Sequence, residues 1–212
     1  NDRELSDLFI RTGRIQFVVM ALILSGFIVF GKHFIILWAG DAYVEAYAMC
    51  VMFFASLMIP LIQNLGITIL QARNQMKFRS ILYIVIAAVA LVLQIVFARR
   101  WGGIGCAVAI SGALLLGQGL IMNIYYAKVQ KIDIPVFWKE ILRMSVVPVI
   151  ITVASMFLLS DVIIDTWVKL GMYIMFFCLI YIPLFWIISM NDSERSLLAS
   201  PFRRLFAKIR KV

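Results

Sequence analysis

The chain has 212 residues, of which 64% are apolar and only 15% charged, against about 45–50% and 25% in soluble domains. The apolar residues fall in long uncharged blocks, which excludes a soluble globular domain and predicts an all-α, polytopic membrane helix bundle. The formal charge of +9 is no sign of nucleic acid, because the basic residues sit in short connections between apolar blocks with no stacking platform beside them.

Asn1 to Arg14 is charged and mixed, and Arg3, Arg11 and Arg14 precede a first span at residues 15–38. Its apolar heart ends at Phe30, so Gly31, Lys32 and His33 are expected near the far interface, with Trp38 in the aromatic belt. Ala39 to Tyr43 reads as a short turn. The second span, residues 46–72, organises the rest. From Ala46 to Ala72 it holds no charged side chain, a length of roughly 40 Å as helix. Its middle carries Pro60, Gln63 and Asn64. A proline frees a carbonyl and the two amides need partners, so these residues are expected to face other helices or a wet cavity rather than lipid. Arg73, Lys77 and Arg79 close the stretch.

The third span covers residues 80–98, with Gln94 its one strongly polar side chain, and ends at Arg99, Arg100 and Trp101. Gly102, Gly103 and Gly105 predict a tight turn into the fourth span, residues 104–127. A basic connection follows, in which Pro135 suits a first helical turn and Phe137 and Trp138 suit the headgroup level. The fifth span is placed at residues 141–160 and contains Pro148. The sixth, residues 170–190, contains Pro183 as a kink, after a turn with Asp161, Asp165 and Lys169. Residues 191–212 form a basic amphipathic tail, in which Phe202, Leu205, Phe206 and Ile209 recur at helical spacing opposite Arg203, Arg204, Lys208 and Lys211. That pattern predicts a surface helix on the anionic inner leaflet.

Six spans put both termini on one side. Of 20 basic residues, only Lys32, Arg99, Arg100 and Lys169 fall on the other. The excess of Lys and Arg places the termini in the cytoplasm. The start Asn1-Asp2-Arg3-Glu4 is not a secretory signal and suggests the C-terminal part of a longer protein.

The span cores carry no Asp, Glu, Lys, Arg or His, which argues against a charged coupling site or an enzyme built there. Cys50, Cys106 and Cys178 lie inside spans at spacings that fit neither zinc nor a disulfide framework, and His33 has no ligand partners nearby. No catalytic residue, metal or cofactor is therefore expected. What remains is neutral polarity. Ser56, Pro60, Gln63 and Gln71 form one stripe in span two with Asn64 beside it, and Ser111, Gln118 and Asn123 recur in span four. Such seams serve either a hydrophilic group passing along them or hydrogen bonding between helices, at roughly 0.6–2 kcal/mol per contact. Gln63, Asn64, Gln71 and Gln118 are the candidate translocation-path residues. Gly105, Gly112 and Gly119, with Ala109, Ala113 and Gly117, predict a face for close helix packing.

The order of certain segments is distinctive: F-I-I-L-W-A-G-D-A-Y at Phe34 to Tyr43, I-P-L-I-Q-N at Ile59 to Asn64, I-L-Q-A-R-N-Q-M-K at Ile69 to Lys77, and W-G-G-I-G-C-A-V-A at Trp101 to Ala109. The chain from Arg11 to Arg143 resembles the C-terminal part of bacterial polysaccharide flippases of the O-antigen type, in the multidrug/oligosaccharidyl-lipid/polysaccharide exporter superfamily. The last two spans match only in hydropathy and position. The resemblance implies twelve to fourteen spans in two lobes in the bacterial inner membrane. It also implies an oligosaccharide on undecaprenyl pyrophosphate as substrate, moved between leaflets by alternating access. Its partners would be the lipid-linked oligosaccharide, membrane lipids, a polysaccharide polymerase and a chain-length regulator. The rivals are a multidrug or small-molecule exporter of the same superfamily, a membrane enzyme of polysaccharide assembly (a polymerase or acyltransferase), and an inert or purely structural remnant.

Overall fold

Acidic Asp2 and Glu4 in its first turn suit the dipole of a long first helix, α1, Asp2–Ala39. A computed structural model describes residues 2–160, 162–191 and 195. The expected surface helix at residues 202–211 lies outside the described residues. At 38 residues, α1 is about 57 Å long, so it extends well beyond a hydrocarbon core of about 30 Å. Phe9, Gly13, Phe17, Ala21, Ser25 and Val29 recur every fourth residue and are all buried. That stripe is the face on which the other helices assemble.

The chain turns at Gly40, whose φ of 93° suits a residue without Cβ, and passes through a 3₁₀ turn at Asp41–Tyr43. Helix α2, Glu45–Ile62, returns antiparallel to α1. The Phe27 and Phe54 rings meet edge to face at 4.7 Å, and the Tyr47 hydroxyl donates to the Ile28 carbonyl at 2.6 Å. A short helix, α3, Leu65–Ala72, continues the same crossing after a break. Helix α4, Met76–Leu114, runs through a π-helical turn at Leu115–Ile121 into α5, Met122–Lys128.

The stretch from Met76 to Lys128 has 53 residues, about 80 Å if straight. It is not straight. Gly102 takes φ 55° and ψ −135°, outside helical geometry, and the two arms fold back on each other. Phe78 stacks on Tyr125 at 4.1 Å, and a Cβ on Gly117 would strike the Ile86 side chain. A Cβ on Gly105 would strike the Phe97 carbonyl. The expected three-glycine turn is thus a single-residue elbow, because one positive φ suffices to reverse a helix. Five helices are long and apolar enough to cross a membrane, and the elbow makes six passes of them.

Helix α6, Ile134–Leu158, starts with Pro135 in its first turn, seven residues before the predicted span, since its amphipathic opening turns pack under α1. It runs parallel to α1, with Phe9 against Phe137 at 5.1 Å. Helix α7, Trp167–Ile188, runs back past both. Trp167 meets Phe34 and Phe177 meets Phe30 edge to face. Pro148 cannot bond the Met144 carbonyl, and Ser189 Oγ lies 3.5 Å from that oxygen. The outer surface is apolar. Along the first arm of α4, Ile81, Ile84, Val85, Val89, Val92 and Ile95 are exposed. A belt of that size suits a lipid environment and no aqueous one. The chain is a polytopic membrane helix bundle.

Candidate functional site

The second crossing breaks three residues beyond Pro60, at Gln63 (φ −104°, ψ 18°), not at the proline itself. Tight turns bridge the break: Asn64 N–H donates to the Leu61 carbonyl at 3.3 Å and Gly66 N–H to the Gln63 carbonyl at 2.9 Å. Gln16 of α1, in the amide orientation its surroundings satisfy, donates to the carbonyls of Leu61 and Ile62 at 3.0 and 3.1 Å. Gly66 is the residue that lets α3 lie against the second arm, since a Cβ there would strike the Tyr126 hydroxyl.

The facing segment is also irregular. The π-helical turn Leu115–Ile121 contains Gln118, and such turns loosen the i→i−4 ladder and leave carbonyls to be claimed. Asn123 claims two of them, donating from Nδ2 to the Gly119 carbonyl at 2.6 Å and the Gln118 carbonyl at 3.2 Å. Its Oδ1 accepts from Gln63 Nε2 at 2.7 Å and from Trp138 Nε1 at 3.2 Å. Ser56 and Ser111 meet higher on the same interface at 3.4 Å. Two crossings that each lose helical regularity therefore face one another, and a chain of neutral polar groups joins them.

The four candidate residues divide between two places. Gln63 and Gln118 are each 3% exposed and lie in the seam. Gln118 Nε2 is buried without a hydrogen-bond partner among the described residues. Asn64 and Gln71 are exposed, against the expectation that the polar groups near Pro60 turn inward. With exposed Thr68 they form a stripe at i, i+4 and i+7 on the outer face of α3. At 3.6 residues per turn consecutive residues point about 100° apart, so Gln63 turns into the seam while Asn64 faces outward. The expected glycine face divides as well. Gly105 and Gly117 meet the first arm of α4, Gly119 meets Ile59 of α2, and Gly112 has open space where a Cβ would stand.

Sequence reasoning passed over Gln16, and over Trp138 as a partner of the seam. Arg14 and Glu140, far apart in the sequence, form an ion pair, and Arg14 is only 4% exposed. Their separation along the chain hid the pairing. Arg73 sits at the same end, bonded to Gln130 Oε1 at 3.0 Å and to Asp2 at 3.3 Å. Among the described residues no three His, Cys, Asp or Glu side chains come together in a group able to hold a metal ion. Cys50, Cys106 and Cys178 are free thiols. The seam can offer hydrogen bonds and shape, and it holds no ionisable pair at its centre. No family model, curated protein or solved structure matches the chain.

Proposed function

We propose that the chain is the C-terminal portion of a bacterial inner-membrane flippase, moving undecaprenyl-pyrophosphate-linked oligosaccharide repeat units between leaflets for surface polysaccharide. The observation that carries this reading is the exposed stripe Asn64, Thr68 and Gln71. It lies on the outer face of α3, at the basic end of the bundle beside Glu4 and Arg73, and suits a polar headgroup passing there or a second polar protein face. The ordered motifs of the sequence point to the polysaccharide branch. Next to the stripe stand the broken helix and the π-helical turn, which suit a carrier in which discontinuous helices rearrange around a polar path.

The test is deletion of the native gene, with lipid-linked repeat units located by leaflet and surface polymer assayed. Trapping of single units on the cytoplasmic leaflet, with loss of polymer, is the expected outcome. Unpolymerised units reaching the periplasm would instead assign a polymerase or a later assembly step. Unchanged polymer with altered drug sensitivity would assign an exporter of the same superfamily. Complementation with Asn64→Leu/Gln71→Leu is expected to fail while the protein still accumulates in the membrane.

A further inference from the structure

Three arginines gather at the basic end of the bundle, and two of them meet a carboxylate: Arg14 pairs with Glu140, and Arg73 with Asp2. Arg79 does not. It is 8% exposed, and among the described residues no carboxylate lies within ion-pairing distance of it. Its partners are neutral. Nη2 donates to the Tyr83 hydroxyl at 2.9 Å, Nη1 lies 3.5 Å from the Tyr126 hydroxyl, and the guanidinium stands 5.0 Å from the Tyr83 ring centroid. A guanidinium is a cation, and a buried charge with no counter-ion is costly.

The depth of Arg79 says where a counter-ion would come from. The elbow at Gly102 is flanked by exposed Arg99, Arg100 and Trp101, which marks one membrane face. The run from Gly102 back to Arg79 is about 35 Å as helix, close to the thickness of the hydrocarbon core at about 30 Å. Arg79 therefore stands at the opposite headgroup level. Exposed Lys77 and Lys128 stand at that level on the two arms, as the Phe78–Tyr125 stack fixes. Arg79 also belongs to the first turn of α4, whose N-cap residue Gln75 makes no side-chain cap. Gln75 Oε1 accepts from Gln130 Nε2 instead. The first N–H groups of α4 add to the positive field at this corner.

We propose that this corner, built by Arg79 and the start of α4 and flanked at the same level by Lys77 and Lys128, binds the phosphate of an anionic membrane phospholipid. The assignment does not depend on the flippase reading. The lipid phosphate supplies the charge that Arg79 lacks, and its tails lie along the exposed apolar face of the first arm of α4. Phosphodiester lipids with a net negative headgroup satisfy the two lysines as well as Arg79, whereas zwitterionic lipids do not.

The test uses the full 212-residue chain in detergent micelles, with phosphatidylglycerol or phosphatidylcholine added and retained lipid counted by native mass spectrometry. Phosphatidylglycerol is expected to be retained about tenfold better, and Arg79→Gln to remove that preference by about tenfold. Lys77→Gln/Lys128→Gln is expected to weaken retention by about fivefold or more. Arg11→Gln, an exposed charge on α1, leaves it unchanged. Circular dichroism of each variant reports folding, and if Arg79→Gln unfolds, the exposed lysine pair decides. Equal retention of the two lipids by the wild-type chain overturns the proposal, as does full retention of phosphatidylglycerol by the folded variants. Displacement of phosphatidylglycerol by millimolar inorganic phosphate also overturns it, and would assign free phosphate as the ligand.

Discussion

Asn123 accepts from Gln63 and Trp138 and donates to the carbonyls of Gln118 and Gly119, so its whole amide is committed. Asn123→Leu would strand Gln63 Nε2 and Trp138 Nε1 in a buried place, and is expected to destabilise the bundle by about 1–3 kcal/mol. Gln63→Leu strands only one acceptor that Trp138 still satisfies, and is expected to cost less. The coupling between the two, from a double-mutant cycle on unfolding in mixed micelles, is expected at roughly 0.6–2 kcal/mol. A coupling of zero would show that the bond accompanies packing without stabilising it. Asp165, in the connection before α7, offers a different handle. Lys169 Nζ donates to it at 2.6 Å and Thr166 Oγ1 at 3.1 Å, and these bonds hold its carboxyl below the ordinary 3.8. A folded-state pKa that is lowered stabilises the fold fully above the unfolded value and loses that stabilisation as pH falls through the folded one. Amide-exchange protection of the first turn of α7 is therefore expected to be flat from neutral pH to near 4 and to fall below 3.8. Asp165→Asn should abolish the fall, and a fall that persists in the variant would assign it to another group.

At the scale of elements, the elbow of α4 is held by a backbone geometry and by two packed arms, and the two contributions separate by substitution. Gly102 sits at φ 55°, ψ −135°, a region that side chains with Cβ avoid, so Gly102→Ala is expected to cost about 1–3 kcal/mol. Spin labels at exposed Ile81 and Lys128 would report a longer and broader distance distribution. An unchanged distribution would mean that the arms hold themselves together. Gly103→Ala is the control, because its Cβ would meet only the flexible end of the Met49 side chain, Cε at 2.8 Å and Sδ at 3.4 Å. The same reasoning sorts the small residues of the second arm. Gly117→Ala drives a methyl into Ile86 and is expected to part the arms, whereas Gly112→Ala meets nothing within 4 Å and gains helix propensity. Melting temperatures in detergent should rank the variants in that order.

At the scale of the molecule, α1 is the shared wall: α2, α3, α6 and α7 all pack against it, and at Gly13 the Ile62 carbonyl of α2 and the Phe137 ring of α6 crowd the same spot. The α4 hairpin packs mainly on α2, and its second arm also meets α1 and α6 through Phe9–Tyr126 and Trp138–Asn123, which leaves the first arm apolar and exposed. Alternating passes return the chain to the end from which it started. The basic residues of that end then predict its side of the membrane. With Cys50, Cys106 and Cys178 replaced by alanine, single cysteines at Trp101 and Lys131 are expected to react with an impermeant maleimide from opposite faces. Position 101 should label in intact cells and position 131 only after permeabilisation. Labelling of both from one face would contradict the elbow, and the inverse pattern would reverse the orientation.

Helix class and a polytopic bundle of helices apolar enough to cross a membrane were legible residue by residue, because transfer from water to hydrocarbon is a sum over side chains and needs no partner to be known. The polar seam was legible in part: the residues of spans two and four that the pattern singled out do include Ser56 with Ser111 and Gln63 with Asn123. Which of them would meet was not legible. The break falls at Gln63 and not at Pro60, and Asn64 is exposed while Gln63 is buried. The π-helical turn changes the register of everything after Leu114. Gln16, Trp138 and Glu140 come from helices far away in the chain. The sequence by itself determined what must leave water, since that is a property of each residue. Only the tertiary structure decided which polar groups are satisfied and that Arg79 is left with neutral partners, since both depend on how faces of distant helices are rotated against one another.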